Sequence, residues 1–533
     1  MLLRLPLAVA AGFALTGAFE PWGWAPLALV GLLGFALATA PLTVPRAGVV
    51  GLAFGVSFYF SHIWWMREAV GTDAWLALSA IEAAFYGLVG ACVPLLRRLP
   101  AWPLWLAALW ATVEVLRSVW PFSGMPWGRV SFAAVDTPVA DAAAYVGLTG
   151  LSFLLALVAF LLAAWVEPWL PGSVPGRGGP LRRRAALAGA IAVLAVLLVP
   201  SVRPYPVAES GEATVAVVQG NVPGAGDDIL LDHRQVTANH ADATRTLAAD
   251  VAAGRVPDPD FVLWPENATA VDPFADTEVT AEIRDAVATI DRPVVVGGLV
   301  DDGPDHVLNQ GIVWDPVTGP GDRYTKRHPV AYGEYIPYRE YWEPNFGRLS
   351  EIERNMKTGT RTAPLDVAGI PVGDAICFDI AYDEVMRDQV RDGAELLTVQ
   401  TSNAIFIFTD QIEQQFAITR LRAIETGRAL AVASPNGRTG VIAADGTILA
   451  AAENRTQEVL VERVGLSTTL TPAVRMGPWP LRFLTVSSLV SLLLGSLAYR
   501  RALARSPRTE HDGTTPSAEP AGTGADPSED PVA

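Results

Sequence analysis

Ile370-Pro-Val-Gly-Asp-Ala-Ile376-Cys377-Phe378-Asp379 decides how this chain is read. An apolar run of strand length that ends on a thiol reads as a buried strand with a functional group at its carboxyl end, where layered α/β proteins place their sites. Two other runs end in the same way. Phe261-Val-Leu-Trp-Pro-Glu266 closes on a carboxylate and Arg323-Tyr-Thr-Lys326 on an ammonium. Around them short β-rich runs alternate with helical ones. Strands are expected at Thr214–Gln219, Phe261–Trp264, Pro293–Gly297, Gly311–Trp314, Arg323–Lys326, Ile370–Cys377, Leu396–Gln400, Ala429–Ala433, Gly440–Ala443 and Val459–Val464. Helices are expected at His233–Ala253, Thr280–Ile290, Tyr382–Asp392 and Gln411–Gly427. This alternation predicts one α/β layered domain over residues 205–475.

The flanks are different. Of 533 residues 51% are hydrophobic and only 18% charged, and 16 are Trp; a soluble protein carries about 25% charged residues. Long apolar runs predict membrane spans at roughly 3–19, 24–40, 47–66, 74–96, 101–120, 140–166, 185–201 and 479–499. Phe19-Glu-Pro-Trp22 lacks a small-residue cleavage pattern, so the first run is read as a span and not as a signal peptide. Arg4, Arg46, Arg97, Arg98, Arg177, Arg182, Arg183, Arg184, Arg500, Arg501, Arg505 and Arg508 fall on one side of these spans, against Arg67, Arg117 and Arg129 on the other. Positive charge stays in the cytoplasm, so both termini are expected there and residues 205–475 on the outer face. The domains expected are a membrane domain of seven helices at 1–204, a catalytic domain at 205–475, a C-terminal transmembrane helix at 476–501 and a disordered cytoplasmic tail at 502–533.

Composition also excludes functions. A net charge of −16 argues against nucleic acid. Two Cys and six scattered His support neither a disulfide framework nor a zinc cluster, and no metal or cofactor is expected. The chain has no G-x-S-x-G elbow and no Walker A loop. Only Lys326 and Lys357 are lysines, so Arg does the ordinary charge work.

Glu266, Lys326 and Cys377 make a coherent nucleophilic set. The carboxylate can take the thiol proton, and the ammonium favours the thiolate and a later oxyanion. Each residue has a plainer reading: Cys377 as a small buried hydrophobe, Glu266 as a solvated loop acid, Lys326 as a surface pair. Glu114 and Arg117, three residues apart, are read as a structural ion pair, and His328 as a packed, hydrogen-bonded histidine.

Trp264-Pro-Glu266-Asn267, Lys326-Arg-His328-Pro-Val-Ala-Tyr-Gly333-Glu334-Tyr-Ile-Pro337 and Ile376-Cys377-Phe378-Asp379 resemble the signature blocks of the nitrilase superfamily. With seven spans before and one after, and with Phe122-Ser-Gly-Met-Pro126-Trp127-Gly128, Thr401-Ser402-Asn403 and Arg422-Ala-Ile-Glu425-Thr-Gly427-Arg428, the chain resembles the apolipoprotein N-acyltransferase family. The resemblance implies a nitrilase-like α-β-β-α sandwich on a multi-span helical membrane domain, in a bacterial plasma membrane. It implies that Cys377 takes an acyl chain from a membrane glycerophospholipid as a thioester and passes it to the α-amine of a diacylglyceryl-cysteine lipoprotein. Glu266 would be the general base, Lys326 the electrostatic partner and Glu334 a supporting carboxylate. The Phe378 N–H would join Lys326 in the oxyanion site. A monomer is expected, and a polyprenol-phosphate mannose synthase is a partner the resemblance raises.

The chain departs from the pattern in having Phe378-Asp379 where many members have Tyr-Glu, and Ala-Ile-Phe-Ile-Phe after Asn403 without a common Trp. Phe-Asp also occurs in soluble nitrilase-like amidases, so an outer-face amidase is a second reading. A scaffold with a decayed site is a third. Tyr335–Lys357 reads either as an apolar arm that touches lipid or as a packed loop. Phe406, Ile407 and Phe408 read as acyl-channel lining or as core.

Overall fold

The computed structural model describes residues 3–169, 179–228, 232–341 and 347–505. The expected tail from residue 506 lies outside them.

Among the described residues thirteen strands form two sheets. The first runs in the order β13-β1-β2-β3-β4-β5, with β1 at Glu209–Gln219, β2 at Phe261–Leu263, β3 at Val294–Asp301, β4 at His306–Asp315, β5 at Gly319–Thr325 and β13 at Glu458–Ser467; β6, Asn355–Met356, pairs with β4. The second runs β12-β11-β10-β9-β8-β7, with β7 at Leu365–Val367, β8 at Ile370–Ile376, β9 at Leu396–Gln400, β10 at Leu430–Ala433, β11 at Gly440–Ile442 and β12 at Ile448–Ala451. Side-chain alternation explains the layering. On the first sheet Ala216, Val218, Val262, Trp264, Val294, Val296 and Ile312 pack with Leu247, Val279, Ile283 and Val287 of helices His233–Ala252 and Thr277–Ile290. The opposite face, with Val215, Val217, Leu263, Val295 and Val313, shares a core with Val372, Ile376, Leu397 and Val399 of the second sheet. That second sheet carries helices Asp383–Arg391 and Gln411–Thr426. The result is the α-β-β-α sandwich. Asp276 and Asp232 start their helices by accepting backbone N–H groups, of Glu278 and Val279 and of Gln235 respectively.

Topology sends the chemistry to one edge. β2 is parallel to β3, β4 antiparallel to β3 and β5 antiparallel to β4, so β2 and β5 end on the same side. β8, β9 and β10 are likewise mutually parallel. Glu266, Lys326, Cys377 and Thr401 therefore all follow the carboxyl ends of strands.

The apolar helices are Arg4–Thr16, Pro26–Thr39, Val44–His62, Thr72–Leu96, Trp102–Val119, Ala143–Val166, Pro180–Val202 and Trp479–Arg505. Among the described residues five helices are long and apolar enough to cross a membrane, Val44–His62, Thr72–Leu96, Ala140–Trp169, Pro180–Val202 and Trp479–Ala504. The first two helices have 13 and 14 residues, about 20 Å at 1.5 Å per residue. Leu88, Val196, Phe483, Leu489 and Leu493 point outward on these helices, as suits a face turned to lipid. Within the bundle Gly51 and Gly90 let two helices touch: a Cβ on Gly51 would sit 2.9 Å from Gly90 Cα.

Arg117 and Glu114 do not form the isolated pair expected of them. Arg117 Nη1 donates to the carbonyls of Met125 (2.9 Å) and Trp127 (2.7 Å) and reaches Glu82 at 3.3 Å. Glu114 Oε1 accepts from Val130 N and Trp110 Nε1, both at 2.9 Å. Both side chains thus shape the loop at residues 120–130, which rises into the sandwich.

Candidate active site

Glu266 follows β2, and its two oxygens are fixed separately. Oε1 accepts from Asn309 Nδ2 at 2.7 Å and lies 3.2 Å from Lys326 Nζ; Oε2 accepts from Ser402 N at 2.7 Å. Lys326 Nζ donates to Glu334 Oε1 at 2.6 Å, and Glu334 Oε2 accepts from Val330 N at 2.8 Å. Glu266 and Lys326 are 3% and 1% exposed, so one ammonium lies between two carboxylates with little water to screen them. Burial works against the Lys326 charge, but the Glu266 and Glu334 carboxylates outweigh it and hold the ammonium well above its ordinary range. Burial, against the pull of Lys326, raises Glu334, and Glu266 adds to the rise.

Cys377 opens a 3-10 turn, Cys377–Ala381, directly after β8. Its φ is +51°, the left-handed region that costs a side-chain-bearing residue about 1–3 kcal/mol and recurs at functional turns. Burial pushes the thiol up to about 12; the Glu266 carboxylate adds to the rise, while Lys326 and a hydrogen bond with Thr401 oppose it. At neutral pH the sulfur is therefore a thiol beside a fixed carboxylate rather than a standing thiolate.

The turn is tied to the Lys326 strand by a residue the sequence marked only as a departure. Asp379, fully buried, accepts from His328 N (2.8 Å), Arg327 N (3.1 Å), Ile376 N (3.4 Å) and Tyr324 OH (2.8 Å). A carboxylate one methylene shorter than Glu thus holds the backbone next to both Cys377 and Lys326. His328 is packed as expected, stacked on Tyr382 at 3.7 Å with Nε2 2.8 Å from Glu384.

The Phe378 side chain leaves the thiol and stacks on Trp127 of the membrane domain, centroids 5.6 Å apart and planes within 8°. Trp127 and Trp65 both donate to Gln414 Oε1, at 2.9 and 3.0 Å, and Trp65 meets Phe406 edge-on. Tyr382 OH donates to Ser123 O at 2.7 Å, and Phe122 packs edge-on against Tyr332 and Tyr338. Between Tyr335 and Lys357, Ile336 is buried while Tyr338 and Tyr341 are exposed; residues 342–346 lie outside the described ones. Phe408 is exposed beneath Arg455 and Ile407 is buried.

Thus the fold brings Glu266, Lys326, Glu334 and Cys377 together. Sequence reasoning missed Asn309, the Ser402 N–H, the tie made by Asp379 and the seat on Trp127. Asn309 had a local signal, a buried polar residue inside an apolar strand. Among the described residues no group of His, Cys, Asp and Glu could hold a metal ion.

The N-terminal domain model of apolipoprotein N-acyltransferases matches residues 11–161, and the carbon-nitrogen hydrolase model matches residues 214–470. An apolipoprotein N-acyltransferase of Mycolicibacterium smegmatis is 36% identical over 513 residues, covering 92% of this chain and 85% of that protein. The chain belongs to the apolipoprotein N-acyltransferase family. Relatives of the same name from Ralstonia nicotianae and Photobacterium profundum are 29% and 25% identical, over 93% and 94% of the chain. An amidase from a Nesterenkonia species aligns with 52% of this chain and 98% of its own at 17% identity, with a TM-score of 0.38.

Proposed function

We propose that this apolipoprotein N-acyltransferase family member moves a fatty acyl chain from a membrane glycerophospholipid to the N-terminal amine of a diacylglyceryl-cysteine lipoprotein, through a thioester on Cys377. Glu266 takes the Sγ proton as the thiol attacks the ester carbonyl. The C–O bond breaks, and Glu266 returns the proton to the leaving lysophospholipid. The lipoprotein amine then attacks the thioester, gives its proton to Glu266 and leaves as an amide, while Sγ is reprotonated. Lys326 and the Phe378 N–H stabilise the oxyanion of both steps, and Glu334 fixes Lys326.

The observation that carries this reading is the seat of the nucleophile turn on membrane-domain residues, with Phe378 stacked on Trp127 and Tyr382 bonded to Ser123. A nucleophile held against the loop that joins the membrane helices suits two lipid-anchored substrates and shelters a thioester from water. The arginine bias of the short loops supports an outer-face site with both termini in the cytoplasm. The intact, mutually bonded cluster of Glu266, Lys326 and Glu334 favours an enzyme over a scaffold.

The test is incubation of the purified protein with a dipalmitoyl phospholipid and a synthetic peptide beginning in diacylglyceryl-cysteine. A peptide heavier by one palmitoyl amide, with lysophospholipid in equal amount, is expected. Free fatty acid with an unchanged peptide would support the hydrolase reading, and no product of either kind would overturn acyl transfer.

A further inference from the structure

The strained Cys377 turn is gripped from a second side, by a buried charge network that no step of the proposed chemistry uses. Arg422 is fully buried, and its Nε and Nη2 donate to the carbonyls of Ile380 and Ala381 at 2.9 Å each, the last two residues of the turn. The same guanidinium reaches Asp383 Oδ1 at 2.9 Å and Glu425 Oε2 at 2.5 Å. Each of those carboxylates is held in turn by the membrane domain. Arg129 donates to both oxygens of Asp383, at 2.6 and 3.2 Å, and Thr149 Oγ1 donates to Oδ2 at 2.7 Å. Glu425 Oε1 accepts from Leu148 N at 3.0 Å. Leu148 follows Gly147, whose φ of +69° breaks helix Ala143–Val166, so Glu425 caps the spanning part of that helix and meets its positive end. A Cβ at residue 147 would come within 3.1 Å of Glu425 Oε1, so glycine leaves room for that carboxylate.

A cavity of about 240 Å³ borders Arg129, Thr149, Asp383, Tyr382 and Glu425. Phe378, Ile380 and Ala381 pack into the core on the turn's other side, so on the side of this cavity the directional bonds of Arg422 complete its hold. Arg129 and Arg422 hold the Asp383 carboxyl well below the usual carboxylate range in spite of its burial, so the network stays charged at neutral pH.

We propose that Arg129 and Asp383 are positioning residues for acyl transfer: through Arg422 they lock the Cys377 turn to the membrane domain, so that the thiol is correctly placed only while the two domains are seated. The inference rests on the function proposed above. Among the described residues neither bonds to Glu266, Lys326 or Cys377; they act through Arg422 on the carbonyls of Ile380 and Ala381.

The experiment is a double-mutant cycle of Arg129→Gln and Asp383→Asn in the full-length protein, with Arg129→Lys as the conservative variant. The rate of Cys377 thioester formation is followed by intact mass against phospholipid concentration. Each single variant is expected to lower the rate at saturating phospholipid by about 10- to 100-fold, with the half-saturating concentration moved by no more than about twofold, as for a misplaced reacting group. The double variant is expected to be no slower than the slower single one, and Arg129→Lys to recover part of the rate. Losses that multiply, an unchanged saturating rate, or a loss matching only the unfolded fraction seen by thermal melting would each overturn the proposal. If the wild-type protein forms no thioester, the function reading fails by itself. The same cycle is then read on Cys377 alkylation by N-ethylmaleimide in a Cys92→Ser background, where equal rates for wild type and Arg129→Gln would overturn the clamp.

Discussion

Asp374→Asn should stabilise the catalytic domain, increasingly so as pH rises. Asp374 lies in the middle of β8, fully buried between the sheets, and burial raises its carboxyl from 3.8 to about 8, against a hydrogen bond from Thr398 Oγ1 at 2.8 Å. Its Oδ2 and Gln400 Oε1 have no partner among the described residues, and both crowd the space where a Cβ on Gly311 would stand. A neutral acid resolves this, because its O–H can donate to Gln400, whose Nε2 donates to Trp264 O at 2.7 Å beside the Glu266 segment. The unfolded chain releases the Asp374 proton near pH 4 and the folded chain near pH 8, so between these values the folded state binds more protons. Stability therefore falls as pH rises through that window, by up to about 1.4 kcal/mol per unit. At pH 7 the loss relative to pH 4 reaches about 4 kcal/mol for this one group. Asn keeps the acceptor for Thr398 and an N–H for Gln400 without any titration. Melting of both proteins in detergent, followed by tryptophan fluorescence from pH 5 to pH 8.5, should give a gap that widens with pH, at about 2–4 °C per kcal/mol. A variant less stable than wild type at pH 8, or a gap independent of pH, would refute a neutral Asp374.

Four further outcomes follow from the same geometry. Lys326→Met leaves Glu266 and Glu334 buried without their cation, so it should cost about 3–5 kcal/mol in melting experiments as well as abolish thioester formation. Asp379→Asn weakens the tie to Arg327 N and His328 N and should cost about 1–3 kcal/mol, with slower acylation of the folded fraction. Because the Cys377 thiol is raised to about 12, its alkylation by a small neutral reagent should keep rising about tenfold per unit between pH 7 and pH 9; a plateau near pH 7 would mean a standing thiolate. Trp127→Ala removes the platform under Phe378 and should slow acylation without changing the pH dependence of alkylation.

What the sequence made legible was local. β9 is the expected Leu396–Gln400 to the residue, and the four sandwich helices fall within three residues of their expected ends, because apolar period and caps are written in neighbouring residues. β8 stops at Ile376 rather than Cys377, since Cys377 itself turns into the left-handed region, which a β-rich pattern does not announce. β6, β7 and β12 have two to four residues each and give no period to read. The convergence of Glu266, Lys326 and Cys377 was legible because each ends a strand and topology gathers strand ends. The supports were not. Asp379 acts on backbone groups some 50 positions away, at Arg327 and His328, and Trp127 meets Phe378 across the domain boundary. Arg117 reads as the partner of Glu114 at helical spacing, yet it turns to the carbonyls of an irregular loop that has no sequence signature.

The central claim is that Cys377 carries the acyl chain between two lipids. Intact mass of the detergent-purified protein after incubation with a defined diacyl phospholipid, beside Cys377→Ser and Glu266→Gln, tests it most directly. One added fatty-acyl mass is expected on the native protein alone, released by hydroxylamine and by a diacylglyceryl-cysteine peptide. A native protein without the adduct, or an equal adduct on Cys377→Ser, would contradict it.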